Sequence, residues 1–243
     1  MNRMSAEASL NLYITAVHPC PYLPDRQAMN LLVDPCYKMT SELYGRLLDS
    51  GFRRSGGDVY RPHCRHCSAC VSSRIAVNAF KPNRSQRRNW KRNQDLRVVV
   101  NRSGFKDEYA ALYRDYIQQR HTGGGMDTDS MDTFAGFLLT RWCKTWLVEF
   151  WEQERLLAVA AVDELNNGLS SVYTFFDPSV SEARGLGTFA VLWQIEQARQ
   201  CGLAFVYPGY WIDESPKMCY KINFQPIEGL VNGTWIPLAA SHA

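Results

Sequence analysis

Three apolar segments in direct succession constrain this chain most: KTWLVEFW from Lys144, RLLAVAAVDEL from Arg155 and LSSVYTFFD from Leu169. The first and third are rich in aromatic residues and the second in aliphatic ones, and turn signals separate them at Glu152-Gln153-Glu154 and Asn166-Asn167-Gly168. Strands joined by connections this short pair as neighbours, so the simplest topology is an antiparallel meander. A sheet of this kind needs cover, and the flanking sequence supplies it. Phe105, Tyr109, Leu112, Tyr113, Tyr116 and Ile117 recur at helical spacing up to His121, and Asp129 or Ser130 opens a second helix through Phe134, Phe137 and Leu138. A glycine-rich loop, HTGGGMDTD, joins the two.

After the meander the pattern reads as a loop from Asp177 to Gly185, a helix from Leu186 to Gln200 and a strand from Leu203 to Tyr207. Two helices, a meander and a strand–loop–helix–strand unit resemble the order of the GCN5-related N-acetyltransferase (GNAT) fold. The fold class is therefore α+β. A composition shift near residue 100 divides the chain into an amino-terminal cysteine-containing, basic α+β domain, 1–99, and a GNAT-like domain, 100–243. In the first part, Leu10 to Ala16 alternates like a strand, and Thr40 or Ser41 caps a helix carrying Leu43, Tyr44, Leu47 and Leu48. FRRSGGDVYRP then turns as a hairpin at Gly56-Gly57-Asp58.

With 46% hydrophobic and 21% charged residues the chain is globular rather than disordered. Its longest apolar run, Leu156 to Val162, is far short of the ~18 residues of a membrane span. The first twenty residues lack an export signal, so the expected location is the cytoplasm and no membrane partner is expected. Eight cysteines are then expected mostly as thiols, with Cys143, Cys201 and Cys219 as small hydrophobes in or near a core.

Charge is segregated. Between Arg61 and Arg97 ten Lys and Arg meet one acid, a local charge of +9, while the remaining 17 basic and 23 acidic residues sum to −6. Within this block NRSQRRNWKRNQD, 83–95, has helical composition without an apolar stripe, so a partner or its own ends must hold it. Arg84, Arg87, Arg88, Lys91 and Arg92, with Trp90 to stack on a base, are expected to meet a nucleic-acid backbone. Just upstream, Cys64-x-x-Cys67-x-x-Cys70 places three thiols at metal-ligand spacing for zinc or an iron–sulfur group. Cys20 is the first choice for a fourth ligand and Cys36 the second, with His18, His63 and His66 open, against three packed thiols without metal.

Arg184-Gly-Leu-Gly-Thr188 resembles the turn by which acetyltransferases hold a pyrophosphate, which keeps a CoA-dependent N-acetyltransferase as an alternative. A non-catalytic zinc-dependent RNA-binding module is a further one. VYPGYWIDESPKMCYKINF concentrates aromatic rings and two lysines beyond the needs of a loop.

HPCPYLPDRQAMNLLVDP, YRPHCRHCSACVSSRIAVNAFKPNRSQRRNWKRN, SVYTFFDP and GYWIDESPKMCYK together resemble the bacterial aspartate/glutamate leucyltransferases, relatives of the arginyl-tRNA–protein transferases. The likeness runs over nearly the whole chain. It implies transfer of an amino acid, leucine or alternatively arginine, from aminoacyl-tRNA to the amino-terminal Asp or Glu of a protein, creating a degradation signal. The chemistry requires no cofactor, because an aminoacyl ester is already activated. Candidates for the catalytic groups are Asp177, Tyr210, Tyr173 and His121, and for binding the acceptor's carboxylate Arg74, Arg120 and Lys217. Asp177, Tyr210 and Lys217 rank first because they lie in the blocks most specific to the family. Ala69-Cys70, where eukaryotic arginyl enzymes have adjacent cysteines, is a departure from the wider pattern.

Overall fold

Local sequence decides where most elements begin. The computed structural model describes residues 9–120 and 131–239. Its amino-terminal part holds β1 (Leu12–Ile14), β2 (His18–Pro19), β3 (Gln27–Ala28), β4 (Asn30–Val33), α1 (Ser41–Asp49), β5 (Arg53–Ser55), β6 (Asp58–Pro62) and β7 (Val71–Ala76). There follow α2 (Arg84–Arg92), β8 (Arg97–Asn101), α3 (Glu108–Arg120), α4 (Met131–Leu138), β9 (Lys144–Glu152), β10 (Arg155–Leu165) and β11 (Gly168–Phe176). The chain continues through α5 (Pro178–Arg184), α6 (Leu186–Gln200), β12 (Phe205–Trp211), a 3-10 helix (Cys219–Asn223), β13 (Ile227–Val231) and β14 (Thr234–Pro237).

Thr40 caps α1 by accepting from the Leu43 amide at 3.2 Å, and β5 and β6 form the expected hairpin. The meander β9–β10–β11 is antiparallel as its turns require. Two expectations need correction. The segment after Asp177 is helix α5, because Asp177 accepts from the Ser179 amide at 2.9 Å and Pro178 is preorganised for a first helical position. β12 runs four residues beyond Tyr207: Pro208 and Gly209 sit at a register shift between Val206 and Gly209, where a strand tolerates them. The loop 121–130 lies outside the described residues.

The large sheet has the order β14-β13-β7-β12-β11-β10-β9-β8, mixed because β11 and β12 run parallel. β7 is an inner strand of it, and the expected boundary at residue 99 falls inside β8, which pairs with β9. A four-stranded sheet, β1-β4-β6-β5, covers a second core of Val33, Tyr44, Leu48, Phe52, Val59, Cys143 and Tyr207. Cys143 is buried there as expected, but Cys201 is exposed at the end of α6.

Arg54 joins the two parts. Its guanidinium donates to both carboxylate oxygens of Asp163, at 2.6 and 2.7 Å, and to the Leu138 carbonyl at 2.8 Å. Both side chains of the pair are fully buried.

Candidate functional site: a fork in the large sheet

β11 and β12 share only three pairs, Gly168 with Phe205, Leu169 with Val206 and Ser170 with Tyr207. Beyond Ser170 they separate. Residues 171–176 keep only β10, while Gly209, Tyr210 and Trp211 pair with Ser73, Ser72 and Val71 of β7. The parallel strands thus open into a fork. Gly209 stands at φ +96, a conformation glycine adopts without strain.

A lysine fills the β12 side. The Lys221 ammonium donates to the Tyr210 carbonyl at 2.6 Å and lies 3.2 Å from the Met218 sulfur. A Cβ added at Gly209 would stand 3.6 Å from Nζ, an ordinary contact, so it is the positive φ and not a lack of space that calls for glycine here. Lys221 is 5% exposed. Burial, aided by the neighbouring Arg53 charge and opposed by Cys70, pulls its pKa down to about 7. Of the two lysines in this segment the sequence favours Lys217, which is exposed, and gives Lys221 no role. The signal available for Lys221 is its neighbourhood of Tyr220 and Phe224, apolar company that a solvated lysine seldom keeps.

On the β11 side Tyr173 is half-buried among Phe137, Tyr116 and Tyr113, with ring centroids at 5.3, 6.2 and 6.4 Å. Its hydroxyl lacks a hydrogen-bond partner of normal geometry, as do the Trp211 indole nitrogen on β12 and the Gln194 amide nitrogen. Gln194 belongs to α6, and its oxygen accepts from Ser171 at 2.6 Å, one residue past the last β11–β12 pair. Burial raises the Tyr173 pKa, so the phenol is a hydrogen-bond donor at neutral pH.

The other expected site residues are distributed around this fork. Tyr210 is buried with its hydroxyl donating to the Gly51 carbonyl at 2.9 Å. Asp177 follows β11 at the open end, where it caps α5 and pairs with Arg155. Partial burial pulls its pKa up, but hydrogen bonds from Ser179 and Arg155 outweigh this and hold it below the usual value. Arg74 is already engaged: Nε donates to Glu228 at 2.6 Å, Nη1 lies 3.5 Å from Asp49, and the guanidinium is stacked 4.0 Å from the Phe205 ring and 4.4 Å from Trp235. Arg120 closes α3, and His121 lies outside the described residues.

The basic helix α2 has two faces. Arg84, Arg87, Arg88 and Lys91 stand three or four residues apart, on one exposed stripe. Opposite them Gln86, Asn89, Trp90 and Asn93 turn inward. Asn89 donates to the Arg184 and Gly185 carbonyls at 2.9 and 3.0 Å, Asn93 donates to Arg184 at 2.9 Å, and Gln86 donates to Asn223 at 2.9 Å. Side-chain amides thus do the docking that an apolar stripe does elsewhere. Trp90 packs against Phe189, with centroids 5.4 Å apart, and anchors the helix instead of presenting its ring to a base. Arg92 is exposed and donates to the Ala183 carbonyl.

This packing fills the turn before α6. A Cβ at Gly185 would lie 2.5 Å from the Asn89 amide nitrogen, and Arg184 is bound to Asp95 and Glu152. The carboxylates and the seated asparagine leave no cradle for a pyrophosphate, so the turn gives the CoA-dependent alternative no support.

Cys20, Cys64 and Cys67 lie near enough to Cys70 to raise its pKa, after burial, to about 12. Cys67 receives a hydrogen bond from Arg26 at 3.4 Å, and Arg26 pairs with Glu214 at 2.6 Å. Cys36 is exposed. Among the described residues no three Cys, His, Asp or Glu side chains converge as they would around one ion. The thiols are neighbours without forming a closed ligand set among the described residues.

Two family descriptions match this chain: "Arginine-tRNA-protein transferase, N terminus" over residues 18–88 and "Arginine-tRNA-protein transferase, C terminus" over 108–231. A chain matched across both halves in this way is an aminoacyltransferase. It belongs to the arginine-tRNA–protein transferase family. Aspartate/glutamate leucyltransferases of Pseudomonas paraeruginosa, Pseudomonas aeruginosa and Pseudomonas putida are each 50% identical to it over 235 residues, 97% of this chain and 100% of theirs. The structure of L-PGS from Bacillus licheniformis overlaps 64% of this chain and 51% of its own at TM-score 0.46 and 9% identity.

Proposed function

We infer that this chain moves leucine from leucyl-tRNA to the α-amine of a protein that begins with Asp or Glu. Membership of the arginine-tRNA–protein transferase family and the full-length likeness to leucyltransferases both support the reading, and the latter favours leucine as donor. The single observation that carries the mechanism is the buried Lys221 amine beside the fork.

The strand order and the parting of β11 from β12 support a GNAT-like arrangement in which the fork admits the aminoacyl end of the tRNA. The acceptor's amine forms a C–N bond to the ester carbonyl, and the bond from that carbon to the ribose oxygen breaks. With a pKa of about 7, a large share of Lys221 is neutral at neutral pH and takes the proton that the attacking nitrogen loses. The ribose oxygen leaves as a hydroxyl by taking that proton from the Lys221 ammonium, which returns the amine to its neutral form. Tyr173 offers its hydroxyl to the negative charge that develops on the carbonyl oxygen. Tyr210 holds the carbonyl that orients Lys221, and Asp177 stands at the fork's open end. Lys217, exposed near the 3-10 helix, is a partner for the acceptor's carboxylate, alongside Arg120 at the end of α3 and His121. The stripe Arg84, Arg87, Arg88 and Lys91 meets tRNA phosphates.

No cofactor enters this chemistry. Zinc or an iron–sulfur group at Cys20, Cys64, Cys67 and Cys70 is outside the mechanism, and the metal content of protein purified without chelator tests it. Among the described residues no helix is long and apolar enough to cross a membrane. We place the reaction in the cytoplasm, with the new amino-terminal leucine marking its bearer for degradation.

The test combines labelled Leu-tRNA or Arg-tRNA with peptides beginning with Asp, Glu or Ala. Label passing from Leu-tRNA to the acidic peptides alone supports the reading. Transfer from Arg-tRNA instead keeps the mechanism and overturns the donor.

A further inference from the structure

Gln86, on the inward face of α2, reaches the 3-10 helix by a hydrogen bond. It is 4% exposed, and its two amide atoms have separate tasks. The oxygen accepts from the Asn83 amide at 2.9 Å, completing the box in which Asn83 accepts from the Gln86 amide at 2.9 Å. The nitrogen donates to the Asn223 carbonyl at 2.9 Å. Asn223 is the last residue of the 3-10 helix, and two residues earlier that helix carries Lys221. One side chain therefore fixes the element bearing the buried amine to the helix bearing the cationic stripe.

We propose that Gln86 is a positioning residue for the transfer reaction, holding the 3-10 helix so that the Lys221 amine stays in register with a tRNA seated on α2. This rests on the function proposed above. The other bonds at that end run elsewhere: Phe224 N–H donates to the Lys221 carbonyl at 3.1 Å, and the Gln225 side-chain amide donates to the Ile222 and Leu238 carbonyls at 2.8 and 3.1 Å. None of them connects it to α2. Without the Gln86 nitrogen the Asn223 carbonyl loses its tie across the two elements, while the phosphate-facing side chains on the opposite side of α2 are untouched.

Gln86→Glu separates the two tasks. It keeps the oxygen that accepts from Asn83, at a first-turn position where a carboxylate suits the helix dipole, and removes the donor to Asn223. Asn83→Ala does the reverse, breaking the cap while leaving the bond to Asn223. Single-turnover transfer at saturating substrates, direct Leu-tRNA binding and hydrogen exchange of the 219–224 amides are measured for both variants and the unaltered protein. Q86E is expected to transfer about tenfold slower or worse, with Leu-tRNA affinity within twofold and faster exchange at 219–224; N83A is expected to retain both rate and protection. An unchanged rate in Q86E, or an equal loss in N83A, overturns the proposal. If the unaltered protein transfers no leucine, the function proposed above fails by itself. Exchange at 219–224 then decides for Gln86, and unchanged protection in Q86E overturns the proposal.

Discussion

Lys221 and Tyr210 meet at 2.6 Å, amine to backbone carbonyl, where β12 turns away from β11. One carbonyl is modest compensation for an ammonium taken out of water, so the charged form is disfavoured and the pKa falls to about 7. The groups in reach are Arg53, which disfavours the charge, and Cys70, which favours it.

This has a consequence for stability. The folded pKa lies below the ordinary lysine value, so between about pH 7 and 10.5 the unfolded chain binds the extra proton and stability rises with pH. The cost is fully present below pH 7. Lys221→Met removes this contribution, which amounts at most to about 1.4 kcal/mol per pH unit within the window. Urea unfolding of both proteins from pH 6 to 9 measures the difference in slope; identical slopes count against a buried titrating amine.

Arg54 and Asp163 form a fully buried pair that also binds the Leu138 carbonyl and Thr145. Removing one partner strands the other charge. Asp163→Ala is predicted to cost about 3–5 kcal/mol in urea unfolding. A loss below about 1 kcal/mol would mean that the two parts of the molecule are held together elsewhere.

The faces of α2 predict opposite effects. Replacing Arg84, Arg87, Arg88 or Lys91 with Ala should reduce the slope of log affinity for tRNA against log salt by about 0.7–0.9 for each phosphate that is no longer neutralised, with little change in stability. Trp90→Ala should leave that slope unchanged and cost about 2–4 kcal/mol of stability, because the ring packs on Phe189. Filter binding across a salt series, paired with urea unfolding, distinguishes the faces; a slope that falls only in the Trp90 variant would reverse their assignment.

Arg74 is predicted to act on stability rather than on acceptor choice. Its guanidinium is closed in by Phe205, Trp235 and Glu228. Arg74→Ala should destabilise by about 2–4 kcal/mol, since it removes a charge-assisted bond together with its stacking on two rings. KM for a peptide beginning with Asp should stay within threefold in the folded variant. A stable variant with a tenfold higher KM would return Arg74 to the substrate.

The sequence reveals elements wherever the cause is local. Thr40, the Gly56-Gly57 turn, the meander and α6 are written in caps, turns and periodicity, and the whole of α2 is legible as a helix needing support. α5 is not, because Asp177-Pro178 serves a turn or a helix start equally well. β7 escapes a reading of the sequence because Ser72, Ser73 and Arg74 are polar, and its partners Tyr210 and Glu228 lie far along the chain. Lys217 and Lys221 are indistinguishable by type, and only the fold of 205–224 buries the second. Trp90 shows the converse: an aromatic in a basic run invites a base, yet the neighbouring helix takes the ring.

The most direct test of the account is the single-turnover rate of leucine transfer from Leu-tRNA to a peptide beginning with Asp, measured from pH 5.5 to 9 with wild-type protein and K221M. The wild-type rate should climb through pH 7 and again through about 7.7–8.0, where the acceptor's own α-amine loses its proton; K221M should keep only the second rise and lose at least a hundredfold in rate while tRNA binding is retained. A K221M variant with the wild-type rate and profile would contradict the assignment of the proton to Lys221, and with it the chemistry placed at the fork.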